Sequence, residues 1–599
     1  MRKNLRVTIF LFIIAFMFIS IFDTANACSL FYFGGAYTDD GANLFMRIED
    51  GEANDNKLYL VSPEGKYKAG EEYNGCYGFK WNFTHDSYRY IARMDDNIGM
   101  VCPNCGKDHL HQPYQEAGTN EYGLTVTCTN SVDANIKISE VDPYIENGVS
   151  EAEMATILLS ECSSASDAID FLKRLVETEG MCREGFSIML CDQNEQWYVE
   201  AIASHYFLAI PLSENLIFLN VNVSSIGLID LDDENIICTD GLIELAQKAG
   251  TFIGDEDENI IDYRRSISDY KVDLFGDNWK WNVFERNAVY LNNLLKTDKY
   301  NADNVLEEDN YIITNISEDG SIVPFYNDLN MNDTVNLDYL LELLRLYPIG
   351  STQNVETHIY RFYPNVDLDF GIIEYSSFSD NEYNVFIPSY PVLMTDTWDG
   401  YKVGLSNTIY ESKDPDFWDE YEEVINIEVE PLEEEIIDTN DYYIMSGVNY
   451  MGYDFIDSTG QDLYCIFPKG WDKSYCYTFN GTSNYLYYMG TDKEKELAIR
   501  YYNYMQQDYN SRFEELSADL MKETDPLKRQ EMMTREHAAM SRESQESTLA
   551  LYRHFRYGEE LPDGFEDQGF DMKYAVIALC GALALCGIMY KMIKITHHL

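Results

Sequence analysis

Basic side chains are scarce in this 599-residue chain: 43 Lys and Arg stand against 103 Asp and Glu, a formal charge of −60 at pH 7. Phosphate backbones are gripped by clustered Lys and Arg, so this deficit excludes nucleic acid as a partner. It also argues against a peripheral hold on anionic lipid, while self-repulsion on this scale favours solubility and suits an extracellular surface. Long uncharged apolar runs are missing from the interior and occur only near the two ends. Asp255-Glu256-Asp257-Glu258 lacks the loop Gly and bidentate Glu spacing of an EF-hand, which leaves a solvated turn. Folding capacity, by contrast, is ample: 45% hydrophobic residues, with 47 Tyr and 30 Phe, suffice for a large domain plus accessories.

The first apolar run follows Arg2, Lys3 and Arg6 and extends from Val7 to Phe22. Ala25 and Ala27 then give the A-x-A spacing that signal peptidase cuts, so residues 1–27 are a predicted signal peptide. Cleavage there makes Cys28 the first residue. A terminal cysteine carries its own α-amine, with a pKa of about 7.7–8.0, beside its thiol. Nucleophile and general base then reside in one residue. Two other readings stand beside this one: a lipoprotein attachment cysteine, although Ala25 occupies the position that such sites give to a Leu-like residue, and an ordinary disulfide cysteine near the cut.

Downstream, Cys28–Phe33 reads as a short aromatic strand, Gly34-Gly35 and Asp39-Asp40-Gly41 as turns, and Asn43–Arg47 as a second strand. The hairpin brings Arg47 and Asp50 back beside Cys28. An Arg near the sulfur favours thiolate, and a carboxylate near the α-amine orients it. The plainer reading of Arg47 and Asp50 is a surface ion pair.

Terminal Cys28-Ser29, the Asp40-Gly41 turn and Arg47-Ile48-Glu49-Asp50-Gly51 together resemble the start of the cysteine N-terminal-nucleophile (Ntn) hydrolases. The match is closest to the secreted dipeptidases; bile-salt hydrolases and penicillin V acylases are more distant. Ser29 stands where those dipeptidases have Thr, and Ile48 where they have Asn. Asn120–Val126 is similar to the family's N-E-x-G strand and leads to Thr129-Asn130-Ser131. Trp197-Tyr198-Val199-Glu200 resembles a W-Y-x-E strand, and Leu219-Asn220-Val221-Asn222 a P-N-Q stretch before I-D-x-D-D. Thr357-His358-Ile359 and Val385-Phe386-Ile387-Pro388 continue the likeness, which runs from Cys28 to about Pro391. It implies Asn130 and Asn222 as oxyanion donors. Trp281–Arg286 corresponds, one residue out of step, to a Y-x-x-x-R-x-W segment and implies Arg286 as a substrate contact.

Of thirteen cysteines, ten remain once Cys28, Cys580 and Cys586 are set aside. An even number suits disulfides in an oxidising compartment, with Cys465 and Cys476 the first candidates. Cys102 and Cys105 with His109 and His111 have the donor set for zinc, against a disulfide or free thiols. The second apolar run, Tyr574–Tyr590, lies between Lys573 and the pair Lys591 and Lys594 after an acidic lead-in, and is read as a single-pass anchor.

The expected organisation is a signal peptide (1–27), a catalytic domain (28–410), an acidic and aromatic extension (411–491), a helical region (492–557), a linker (558–571) and a transmembrane anchor (572–592). Helical patterns fall at Glu151–Leu158, Ser166–Glu179, Gly241–Ala249 and from Asp492 to about Tyr557, broken at Asp525-Pro526. Periodicity supports α+β; the resemblance implies a four-layer αββα sandwich. The function expected is that of an anchored cell-surface dipeptidase acting on small peptides without cofactor or metal. Its alternatives are an acylase of the choloylglycine-hydrolase type and a non-catalytic binding protein on the same fold. Oligomeric state stays open.

Overall fold

The computed structural model describes most of residues 28–403 and 473–561, with short strands at 437–438, 442–445 and 465–468. Residues 1–27, 404–436 and 562–599 lie outside the description, as do shorter stretches such as 51–56, 96–113, 130–131 and 270–275. Outside it therefore fall the expected signal peptide, Asn130, the Cys102, Cys105, His109 and His111 set, most of the expected acidic extension, and Tyr574–Tyr590.

In chain order the principal strands are β1 (Ser29–Phe33), β2 (Asn43–Asp50), β3 (Lys57–Ser62), β4 (Tyr90–Asp95), β5 (Gln115–Asn120), β6 (Thr125–Thr129), β7 (Phe186–Cys191), β8 (Gln196–Ala203), β9 (Tyr206–Pro211), β10 (Ile217–Asn220), β11 (Ile237–Cys238), β12 (Asn354–Phe362), β13 (Ile372–Phe378) and β14 (Ile387–Ser389). One sheet runs β10-β1-β2-β12-β13-β14, the other β11-β9-β8-β7-β6-β5-β4-β3, and neighbours are antiparallel throughout. Helices α1 (Glu151–Glu161) and α2 (Ala165–Glu179) cover the second sheet, and α3 (Gly276–Leu294) with α4 (Leu337–Leu344) cover the first.

Period-two alternation decides which side chains face which layer. On β1 and β2, Phe31, Phe33, Leu44, Met46 and Ile48 join Leu291 and Leu340 beneath the helices. Leu30, Tyr32 and Phe45 point the other way and meet Met189, Tyr198 and Leu208 of the opposing sheet. Val126, Ile188, Leu190 and Val199 turn toward α1 and α2. Cys28, Arg47 and Glu49 share parity with Leu30 and Phe45, which directs them into the space between the sheets.

Three further helices close the far edge: α5 (Tyr475–Tyr488), α6 (Asp492–Leu520) and α7 (Pro526–Tyr557). Thr491 and Glu494 cap α6 reciprocally, and Asp525 caps α7 with Pro526 in its first turn. Phe513 and Met533 reach Tyr390 next to β14. Gln506 acts as a missing strand: its Oε1 accepts from the Phe386 N–H at 2.7 Å and its Nε2 donates to the Phe386 carbonyl at 2.9 Å.

The membrane expectation is corrected. Among the described residues no helix is long and apolar enough to cross a membrane. The two longest helices, α6 and α7 with 29 and 32 residues, carry charged side chains on most turns and bury one face on the sheet edge. The transmembrane part of the fold class, the membrane as partner and the anchored cell-surface location are therefore withdrawn. The disulfide expectation also fails for Cys128, Cys162, Cys191 and Cys238, which are free thiols set singly in or beside the hydrophobic layers. The side chain of Cys465 is outside the description; Cys476 is buried in α5 and accepts from Asn480 at 3.6 Å.

Gln506→Ala strands two buried backbone groups at once, so it is expected to cost about 2–4 kcal/mol. Urea unfolding of the purified variant against the parent measures this; an unchanged midpoint and slope would show that the helices do not brace the sheet.

Candidate functional site

The first hairpin builds the site. Leu30 pairs with Arg47 across β1 and β2, and His358 pairs with Arg47 across β2 and β12. Arg47 thus lies on a central strand, its side chain between the sheets, where its Nη2 donates to the Cys28 sulfur at 3.9 Å. Its Nη1 lies 3.3 Å from carboxylate oxygens of Glu49, Glu116 and Glu356. One guanidinium therefore links the sulfur to three buried glutamates.

The glutamates are held in turn. Lys57 Nζ meets Glu116 at 2.9 Å and also contacts Glu49 and Asp95. Arg93 pairs with Glu356 at 2.9 Å and with Glu374, and lies over the Tyr59 ring. His358 bridges Glu356, at 3.0 Å through Nδ1, and the Thr127 hydroxyl, at 3.0 Å through Nε2. Burial pushes the Glu49 carboxyl well above the usual range and neighbouring Glu116 adds to this, with Lys57 and Arg47 opposing it. Against the same burial, Lys57, the Glu49 hydrogen bond and Arg47 keep Glu116 ionised. Burial also lowers His358, which stays neutral despite Glu356.

Burial likewise governs the nucleophile candidate. It pushes the Cys28 thiol up, and Arg47, the Asp50 N–H and the Thr129 hydroxyl only partly offset it, while the Asp50 charge adds to the rise. Burial, not Arg47, thus sets the net direction. Arg47 does favour thiolate, but its charge is divided among three carboxylates and burial outweighs what remains.

Asp50, at the end of β2, accepts from Asn354 at 2.6 Å and pairs with Arg286 of α3. Arg286 is buried on this carboxylate. Asn222 follows β10, whose register Leu30 to Asn220 runs toward Cys28 on one strand and Asn222 on the other. Asn222 is buried and left-handed, with φ of 52°. The structure thus brings Cys28, Arg47, Asp50 and Arg286 to one end of the hairpin, with Asn222 on the adjoining strand end.

Sequence reasoning singled out Arg47 and Asp50 and missed Lys57, Arg93, Glu116, Glu356 and Glu374. Their signal was charge at inward parity within strands that are otherwise apolar. Glu49, Asp95 and Glu116 converge closely enough to hold a cation, and the Lys57 ammonium already stands among them.

The profile of peptidase family C69 matches residues 27–421. The probable dipeptidase B of Streptococcus pyogenes serotype M3 is 32% identical over 235 residues, 39% of this chain and 45% of the relative. A probable dipeptidase of Salmonella dublin is 26% identical over 228 residues, 38% of this chain and 50% of the relative. The probable dipeptidase B of Lactococcus lactis is 22% identical over 380 residues, 61% of this chain and 75% of the relative. The chain thus spans about half the length of the first two.

The electrostatics give opposite signs for two neighbours of the sulfur. Asp50→Asn is expected to lower the pH midpoint of Cys28 alkylation by iodoacetamide, because a charge that opposes thiolate is gone. Arg47→Lys is expected to raise it, because a compact ammonium cannot span the sulfur and three carboxylates. Midpoints that move together, or not at all, would refute this account of the sulfur's surroundings.

Proposed function

The chain belongs to peptidase family C69, and on that footing we propose that it is a cysteine hydrolase cleaving the amide bond of dipeptides, with Cys28 as the first residue of the mature chain. The observation that carries this reading is the Cys28 sulfur 3.9 Å from a buried arginine at the mouth of the inter-sheet layer. The similarity to probable dipeptidases supports the substrate class.

A thiol held neutral by burial needs a base at the moment of attack. The α-amine freed by removal of residues 1–27 is that base: it takes the Sγ proton as sulfur attacks the carbonyl carbon. Asn222, with Asn130, collects the charge that develops on oxygen. As the C–N bond breaks, the α-ammonium returns the proton to the departing amine, leaving a thioester on Cys28. Water, deprotonated by the same amine, then releases the acid and the free thiol. Asp50, fixed by Arg286 and Asn354, orients the amine.

Two forms test this: the chain starting at Cys28 and the same chain with one Ala in front, each verified by intact mass. The first is expected to hydrolyse Ala-Ala and Leu-Leu. The second is expected to lose more than about 10²-fold, since its neighbouring nitrogen is an amide without useful basicity. Equal turnover by both forms would refute the mechanism. Cleavage of N-acetyl-leucine or glycocholate in place of the dipeptides would refute the substrate class while leaving the terminal nucleophile intact.

A further inference from the structure

Glu200, in the strand motif Trp197-Tyr198-Val199-Glu200, takes no part in the chemistry above, yet it is fully buried between the sheets on β8. Its Oε2 accepts from the Ser224 hydroxyl at 2.6 Å. Its Oε1 accepts from the Tyr198 hydroxyl at 2.8 Å and from the Ser225 N–H at 3.2 Å. The Tyr198 hydroxyl in turn accepts from the Asn220 side-chain amide at 2.6 Å. One carboxylate therefore holds both flanks of Asn222: Asn220 before it, through Tyr198, and Ser224 and Ser225 after it.

The held residue needs such support. A non-glycine side chain at φ of 52° costs roughly 1–2 kcal/mol, even though Asn tolerates this region better than most. Ser225 is fixed further by its hydroxyl bond to the Leu219 carbonyl at 2.9 Å and by the Ile313 N–H, which donates to its carbonyl at 2.9 Å. The turn is thus braced from its strand and from the chain at Ile313. Ser225 joins the two flanks to each other, and Glu200 ties both to β8.

We propose that Glu200 is a positioning residue for the oxyanion donor: its carboxylate fixes the turn that presents Asn222 to the substrate carbonyl. The inference rests on the reading of Asn222 as that donor. Its physical basis is that a donor must sit within a few tenths of an ångström of where the oxyanion forms, and small misplacements are costly in rate.

Burial pushes the Glu200 carboxyl up to about 7, against the hydrogen bonds from Ser224, Tyr198 and Ser225 and the charge of Arg264. The ionisable groups facing it are Tyr198 on its own strand and, from the helix Tyr263–Ile267, Tyr263 and Arg264. Both tyrosines are held protonated well above their ordinary range, chiefly by burial, so in this cluster Glu200 is the group that titrates near neutrality. On protonation its new O–H donates to Ser224, reversing that bond, and the charge-assisted bonds weaken toward neutral ones. The brace survives but loosens as pH falls.

The test uses the chain starting at Cys28 with Ala-Ala as probe. Glu200→Ala is expected to lower kcat about 30–100-fold, with KM within about twofold and the rate of Cys28 alkylation unchanged. Glu200→Gln, which can accept from Tyr198 and Ser225 while donating to Ser224, is expected to recover kcat to within about threefold and to lack an ionisation near pH 7 in its kcat profile. If Glu200 acts through Asn222, the double variant Glu200→Ala, Asn222→Ala falls no further than Asn222→Ala alone. Multiplicative losses in the double variant, or wild-type kcat in Glu200→Ala while Asn222→Ala is impaired, would overturn the proposal. Wild-type kcat in Asn222→Ala would overturn the oxyanion reading itself and this inference with it. Should Glu200→Ala fail to fold, Ser224→Ala removes one strut of the same turn. It is expected to lower kcat about 5–10-fold, and an unchanged kcat there would count against the brace.

Discussion

Ion pairs sealed between two sheets set the terms for everything else in this molecule. Arg47, Lys57 and Arg93 meet Glu49, Glu116, Glu356 and Glu374 where a sandwich of this kind elsewhere places aliphatic side chains. Such pairs are poor sources of stability, because desolvating each ion costs several kcal/mol and mutual attraction roughly repays it. Breaking one is a different matter: a partner left alone costs about 3–5 kcal/mol. The layer is therefore rigid without being strongly stabilising, and every cation has one low-energy place. Within this layer burial and Glu116 push the Glu49 carboxyl up, while Lys57, Glu49 and Arg47 hold Glu116 down.

That rigidity explains the state of the sulfur. Arg47 is committed to three carboxylates before it faces Cys28, so it acts as a fixed dipolar wall more than as a counter-ion. A cysteine activated by a free arginine or imidazolium rests as thiolate and is open to oxidation and stray alkylation. Here the thiol rests protonated, and activation falls to a base close enough to act on it. In the proposed mechanism the labour is divided: the sheets supply position and field, and the α-amine of Cys28 supplies the proton acceptor.

Much of the local structure was legible in the sequence, and for identifiable reasons. The Cys28 hairpin is marked by its Gly and Asp turns and by alternating apolar residues, and the observed strands Ser29–Phe33 and Asn43–Asp50 pair across them. Helix signals at Glu151, Ser166 and Asp525-Pro526 fall within a residue or two of the observed ends. The charged layer was not legible, because its members come from β2, β3, β4, β5, β12 and β13 and meet only once two sheets are stacked. Glu356 and Arg47 are separated by 309 positions. Hydrophobic periodicity finds faces, and an inward charge simply reads as noise in that pattern until its partner is known. The net rise of the Cys28 thiol was hidden for a related reason: the sequence shows one arginine nearby but neither the burial of the sulfur nor the glutamates that share that arginine.

The far edge of the first sheet shows the same logic in reverse. An edge strand such as β14 exposes unpaired backbone groups, which invites association with any other strand. Here α6 and α7 cover that edge, and Gln506 satisfies the Phe386 backbone as a strand would. Arg529 of α7 reaches Asp369, between β12 and β13, at 2.7 Å, tying the same helices to the loop that follows β12. Because β12 carries Glu356 and His358, a helix displaced from the sheet edge shifts the strand that positions Arg47. Residues 473–561 are thus mechanically continuous with the hairpin that begins at Cys28, although among the described residues no side chain of α6 or α7 is a contact of the sulfur.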